Sequence, residues 1–353
     1  MHWLRILRWP SIAATSKMRI LKAIFNLFVD AGTEWSRDKA SLYAASIAYY
    51  MTFSIAPMLV LAIAIASRVF SQAVIEGQLV SQIEAFIGSE AAILVHNLLS
   101  SASLGSSSFT IISSLILLWA ASGVFTHLKR ALDIIYGVTP RPMPATKGVF
   151  HAIRTRFFSF AMVLFMGLLL ILSLTLNAVV TAMGSFLVEY FPELAQLNAT
   201  ITRFIAPAIM FFLFGIIFKT LPEARVAWRD VWLGAGVTTL LFLLGNFFIG
   251  LYLSISNVGS VYGAAGSLIV VLVWIYYSAQ ILLYGAEFTK VYAIRYGSGI
   301  VPNSQAITLA EYYSYHVESS VDHNGRRIQS GDSPRVSMQT EEIVEGVSFT
   351  EQE

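Results

Sequence analysis

Cysteine is absent from the 353 residues, which excludes disulfides, thiolate nucleophiles and cysteine-held zinc. Charge is scarce as well. Only 12% of the residues are charged, about half the share of an ordinary soluble domain, so a water-soluble fold is not expected. The net charge of +2 gives no reason to invoke nucleic acid as a partner. The six histidines never come closer than seven residues apart, and neither H-x-H-x-D-H nor H-E-x-x-H occurs. A P-loop pattern is missing too. These absences disfavour a ribonuclease or other hydrolase, leave no catalytic residue, metal or cofactor to name, and would place any ATP-driven step on a separate subunit.

What the chain has in abundance is long uncharged runs. Crossing a hydrocarbon core takes about 20 mostly apolar residues. Windows 40–67, 91–128 and 157–188 each hold one crossing, and the 56-residue window 231–286 holds two, joined by the turn Ser254–Ser260. Window 204–218 has only 15 uncharged residues, so its crossing requires Arg203 and Lys219 to snorkel to the interfaces. The expected spans are about 42–67, 109–127, 158–182, 201–220, 231–253 and 264–287. With a cytoplasmic N-terminus, the inside segments carry 21 of the 23 Lys and Arg, so both termini are expected inside. The reading is an all-α integral membrane protein with six transmembrane helices, multi-pass, N-in and C-in.

Residues 1–41 form a basic amphipathic segment, expected as a helix along the inner leaflet over 2–29 and interrupted at Pro10. In the first outside loop Ile75, Leu79, Ile83, Phe86 and Ile87 recur at helical spacing, which predicts extra helices there. Residues 297–353 hold nine acids against three bases and read as an acidic disordered cytoplasmic tail. Without it the membrane portion 42–290 and the N-terminal segment present a basic cytoplasmic rim suited to anionic lipids.

Polar side chains at membrane depth are costly. Ser46, Tyr50 and Ser54 fall at i, i+4 and i+8 in the first span, just before Pro57, a candidate hinge whose ring removes a backbone hydrogen bond. Ser173, Asn177 and Thr181 make a second stripe, Asn246 sits beside Gly245 in the fifth span, and Tyr277, Gln280, Tyr284 and Glu287 share a face of the sixth. Interhelical packing explains such stripes as readily as a cavity does. Glu287 also has Lys290 one turn away, which suits an ion pair. The candidates for a substrate cavity are Tyr49, Tyr50, Ser54, Asn177, Asn246, Gln280, Tyr284 and Glu287.

The run Ala44-Ala45-Ser46-Ile47-Ala48-Tyr49-Tyr50 before Pro57, the stretch Ala131 to Val138, Leu221-Pro222-Glu223-Ala224 with Trp228-Arg229-Asp230-Val231, and Gly285-Ala286-Glu287 resemble the BrkB/YihY family over roughly residues 25 to 295. Asp133 stands where many relatives are expected to carry Asn. The resemblance implies a six-helix protein of the bacterial inner membrane. It also brings a ribonuclease BN label regarded as mistaken, a link to serum resistance, and suggestions of envelope lipid transport. Two functions follow as expectations. One is a flippase-like passage for a phospholipid or lipid-linked precursor, with anionic membrane lipids as partners. The other is a noncatalytic scaffold that organises envelope proteins.

Overall fold

The computed structural model describes residues 12–66, 89–102, 123–141, 195–255 and 265–319, with isolated positions between 76 and 84 and between 154 and 184. Most of the expected second and third spans, Asn177, most of the Ser254–Ser260 turn and residues 320–353 lie outside the described residues. The chain divides into two compact units, Met1–Ile307 and Thr308–Glu353.

Among the described residues, the first unit holds helices α1 (Ile12–Arg37), α2 (Ala40–Ala66), α3 (Ser89–Ala102), α4 (123–135), α5 (Ala195–Thr220), α6 (Trp228–Ile255) and α7 (Gly266–Arg295). The short strands β1 (Val138–Pro140), β2 (Ala224–Arg225) and β3 (Val301–Pro302) lie between and after them. Among the described residues two helices are long and apolar enough to cross a membrane, one within α6 and the other α7. Along α6, Leu240, Leu244, Phe247 and Phe248 point outward. Water would penalise that surface at about 25 cal/mol per Å² of apolar area, and lipid would not. The short fourth window is extended by its helix, since α5 runs 26 residues and reaches back past Arg203.

Helix α7 is the hub, packed against α6, α2, α1 and α3. Close approach to α6 rests on a reciprocal arrangement of small residues. Each helix carries Gly-x-x-x-Thr, as Gly234 and Thr238 on α6 and as Gly285 and Thr289 on α7. A Cβ on Gly234 would overlap the Thr289 hydroxyl, and a Cβ on Gly285 would overlap that of Thr238. The pairs match in opposite chain directions, so the helices run antiparallel with each threonine seated over the other's glycine. Both hydroxyls donate back to their own glycine carbonyls at 2.7 Å, so no donor is stranded in the seam.

The α1–α2 connection is short. Lys39 takes φ 53°, the left-handed conformation that closes a helix end, and its N–H donates to the Ser36 carbonyl at 3.2 Å. This turn sends α1 back along α7, where Leu27, Ala31 and Phe288 form a buried cluster and the Phe28 and Phe288 rings lie 5.0 Å apart. The C-terminal half of α1 is thus docked on a helix. Pro57 leaves α2 unbroken, the helix continuing to Ala66. Helical positions between 76 and 84 and helix α3 occupy the loop where extra helices were expected, and Ile83 packs against Ala48, Ala91, Val271 and Ile275.

Residues 297–307 correct one expectation, because they are ordered against the helical unit instead of opening a disordered tail. Asp230, in the first turn of α6, accepts the Ser298 N–H at 3.1 Å. β3 pairs antiparallel with β2, Ala224 opposite Pro302. Ala306 and Ile307 are buried. Averaging the charge over 57 residues hid this stretch, since every acid of the tail lies at or beyond Glu311. In the second unit, helix α8 (Leu309–Ser319) starts with the Thr308 hydroxyl accepting the Glu311 N–H at 3.1 Å, an N-cap.

Candidate functional site

The polar residues of α7 meet two different environments. Towards its end Glu287 is fully buried and Lys290 holds three carboxylates at once: Glu34 at 2.8 Å, Asp38 at 3.0 Å and Glu287 at 3.2 Å. The i, i+3 pair anticipated in the sequence is therefore present, joined by two acids from the α1 end. Burial pushes the Glu34 carboxyl up, but its hydrogen bond and attraction to Lys290, with help from Arg37, outweigh that and hold it below 4.5. One turn earlier the Tyr284 hydroxyl donates to the Phe28 carbonyl at 2.8 Å. The Tyr284 ring passes Gly32 at ordinary contact distance, 3.9 Å from where a Cβ would stand.

Nearer the start of α7, Trp274 Nε1, Ser278 Oγ and Gln280 Oε1 are buried with no hydrogen-bond partner among the described residues. Trp274 lies edge-on to Phe242 of α6, centroids 6.1 Å apart. Asn246 is half-buried beside Gly245, where an added Cβ would run into Tyr277 and Ile281 of α7.

The stripe on α2 turns towards α4. The Ser46 hydroxyl lies 3.1 Å from His127 Nδ1, and Tyr50 stacks on the same imidazole, centroids 4.1 Å apart. Gly123 permits this, since a Cβ there would sit 3.3 Å from the Tyr50 ring. Ser54 is buried and donates to the Met51 carbonyl at 3.1 Å. Tyr49 is exposed, its ring edge-on to Tyr50 and Phe53.

A second charged group sits where α4 meets the α5–α6 loop. Lys129 pairs with Asp133 at 2.7 Å and with Glu223 at 2.8 Å, and the Asp133 carboxylate accepts the Glu223 N–H at 2.6 Å. Burial pushes the Asp133 carboxyl up, and Lys129 and the Glu223 N–H only partly draw it back. Burial works against the Lys129 ammonium, yet the two acids more than compensate, and its pKa rises. Tyr136, close by in sequence, is buried beside Thr289, and burial together with the Glu287 charge keeps its phenol neutral well above the usual range.

Residues 31–307 match the family described as Virulence factor BrkB. The chain belongs to the BrkB family. Its relatives include a UPF0761 membrane protein of Alteromonas mediterranea, 26% identical over 76% of this chain and 87% of that protein. A UPF0761 membrane protein of Psychromonas ingrahamii is 34% identical over 31% of this chain and 38% of its own length. YfkH of Bacillus subtilis, named as ribonuclease-like, is 23% identical over 78% of this chain and 95% of its length. No solved structure matches.

This BrkB-family chain is thus a mostly helical membrane protein of a bacterial family, and the match takes in α2 to α7 and the ordered stretch after them. Its candidate residues fall into distinct settings. Ser46 and Tyr50 gather on His127, Tyr284 fastens α1 to α7, Glu287 pairs with the Lys290 that reaches the α1 acids, and Ser54 is satisfied by its own helix. Gln280 is left with a buried unpartnered oxygen, and Asn177 lies outside the described residues. The sequence reading missed Glu34, Asp38, His127, Ser278 and Tyr136. A signal existed for two of them, since Glu34 and Asp38 fall at i, i+4 and therefore on one face of an otherwise basic segment.

Proposed function

We propose that this protein provides a passage for an amphipathic envelope component, a phospholipid or lipid-linked precursor, across the bacterial inner membrane. The supporting observation is the group Trp274 Nε1, Ser278 Oγ and Gln280 Oε1, buried and unpartnered within a helix apolar enough to span. In hydrocarbon each such group costs several kcal/mol, a cost removed when water or a polar headgroup reaches it. The reading takes the six-span, N-in and C-in arrangement, with a basic cytoplasmic rim that concentrates anionic headgroups. The acyl chains stay in lipid while the headgroup follows the polar groups of α7.

Proteoliposomes with fluorescent phosphatidylglycerol, phosphatidylethanolamine and a polyprenyl-linked headgroup test this. Protein-dependent transfer between leaflets that falls on Gln280→Leu supports the passage, and equal transfer with and without protein for all three refutes it.

A second reading, a membrane scaffold without transport, is favoured by the satisfaction of Ser46, Ser54 and Tyr284 by immediate neighbours. It expects loss of cellular function on deleting residues 320–353 and none on Gln280→Leu.

A further inference from the structure

The carboxylates around Lys290 do not balance. Glu34, Asp38 and Glu287 each offer an oxygen, all within 4.8 Å of one another; Lys290 faces all three, and the exposed Arg37 guanidinium stands 3.6 Å from Glu34. With Arg37 counted beside Lys290, three acids face two bases and one negative charge remains. Two further observations show that the surroundings do not close it. Glu287 is fully buried, and its Oε1 has no hydrogen-bond partner. The Tyr136 hydroxyl, buried beside Thr289, lies in the field of the Glu287 charge. A buried carboxylate oxygen without a donor is expensive unless a cation reaches it.

We propose that Glu34, Asp38 and Glu287 form a divalent-cation site that fastens α1 to α7. Hard divalent ions take carboxylate oxygens at about 2.0 to 2.6 Å, so ligands on opposite sides stand about 4 to 5 Å apart, the spread these oxygens already have. Lys290 then has two effects. It holds the acids together before the ion arrives, and its ammonium competes for the same oxygens. Sequence motifs miss such a site because Glu34 and Asp38 precede Glu287 by about 250 residues, joined only when α1 folds back on α7. The inference goes beyond the passage reading and does not depend on it.

The test is binding of Mn2+ to the purified full chain in detergent micelles, read by the loss of the free-ion electron paramagnetic resonance signal, with Mg2+ and Ca2+ as competitors. One saturable site per chain is expected. Asp38→Asn and Glu34→Gln, both at partly exposed positions, should each weaken it by about tenfold or more, while Lys290→Met should tighten it. A melting temperature that rises with Mn2+ in the wild type and not in Asp38→Asn supports the site. The absence of saturable binding overturns the proposal. So does binding unchanged in both acid variants, or stabilisation by acid in place of metal, which would assign the missing charge to a proton.

Discussion

Gly234→Ala is the sharpest test of the α6–α7 seam. The added methyl would overlap the Thr289 hydroxyl and come within 2.9 Å of its Cβ, against the roughly 3.4 Å or more of ordinary contact. Thr289 cannot turn away cheaply, because it is fully buried and its hydroxyl is held by the Gly285 carbonyl at 2.7 Å. The helices must therefore part, at an overpacking cost of about 1–3 kcal/mol. Helix propensity works in the opposite direction by up to about 1 kcal/mol, so Gly250→Ala, with nothing within 4 Å of its added methyl, should be neutral or slightly stabilising. Thr289→Ala alone loses a back-bonded hydroxyl and a methyl, about 1 kcal/mol. Combined with Gly234→Ala it removes the overlapping atom, so the double variant should be less destabilised than the two singles predict. Reversible unfolding in mixed micelles, following tryptophan fluorescence against SDS fraction, gives each ΔΔG and the coupling. If Gly234→Ala matches Gly250→Ala, or Thr289→Ala brings no relief, the close-packed seam is wrong.

Other expectations follow from the same contacts. Tyr284→Phe removes the bond to the Phe28 carbonyl and should cost about 0.5–1.5 kcal/mol, visible as faster limited proteolysis within α1. Asp133→Asn keeps an acceptor for the Glu223 N–H but gives up the ion pair; because Glu223 still holds Lys129, the loss in unfolding free energy should stay near 1–2 kcal/mol, below the 3–5 kcal/mol of a broken buried pair. The Glu34 carboxyl is held below 4.5 in the folded protein, so its contribution to stability is present above that pH and is lost as pH falls through the lowered value. Glu34→Gln should therefore flatten the acid limb of a melting-temperature profile between pH 3 and 6, and an unchanged limb would count against the pairing with Lys290.

What could be read in the sequence was what repeats locally. Helices α6 and α7 are legible because a long uncharged run leaves little besides a buried or lipid-facing helix, and the Glu287–Lys290 pair because one helical turn separates them. The Gly-x-x-x-Thr motifs of both helices were equally local, yet they mean something only as a pair. A small residue followed by a back-bonding threonine is an ordinary pattern until the partner helix shows the same one in the opposite direction. Long-range partners were not legible. Nothing near Ser46 or Tyr50 points to His127, and the basic composition of residues 1–41 concealed the two acids that α1 brings to Lys290.

The settings around α7 also narrow where function can reside. Tyr284 was a cavity candidate because it is polar in a hydrophobic span, but its hydroxyl is taken by the Phe28 carbonyl, so it serves docking of α1. Ser46 and Tyr50 are likewise engaged at His127. A side chain with a fixed partner inside the protein must break that contact before it can serve a passing headgroup, whereas Ser278 and Gln280 break nothing. The proposed passage is therefore supported by the first half of α7 and not by the stripes as a whole, and Gln280→Leu is the decisive substitution. The end of the same helix, through Lys290 and its acids from the α1 side, is left to hold α1 in place.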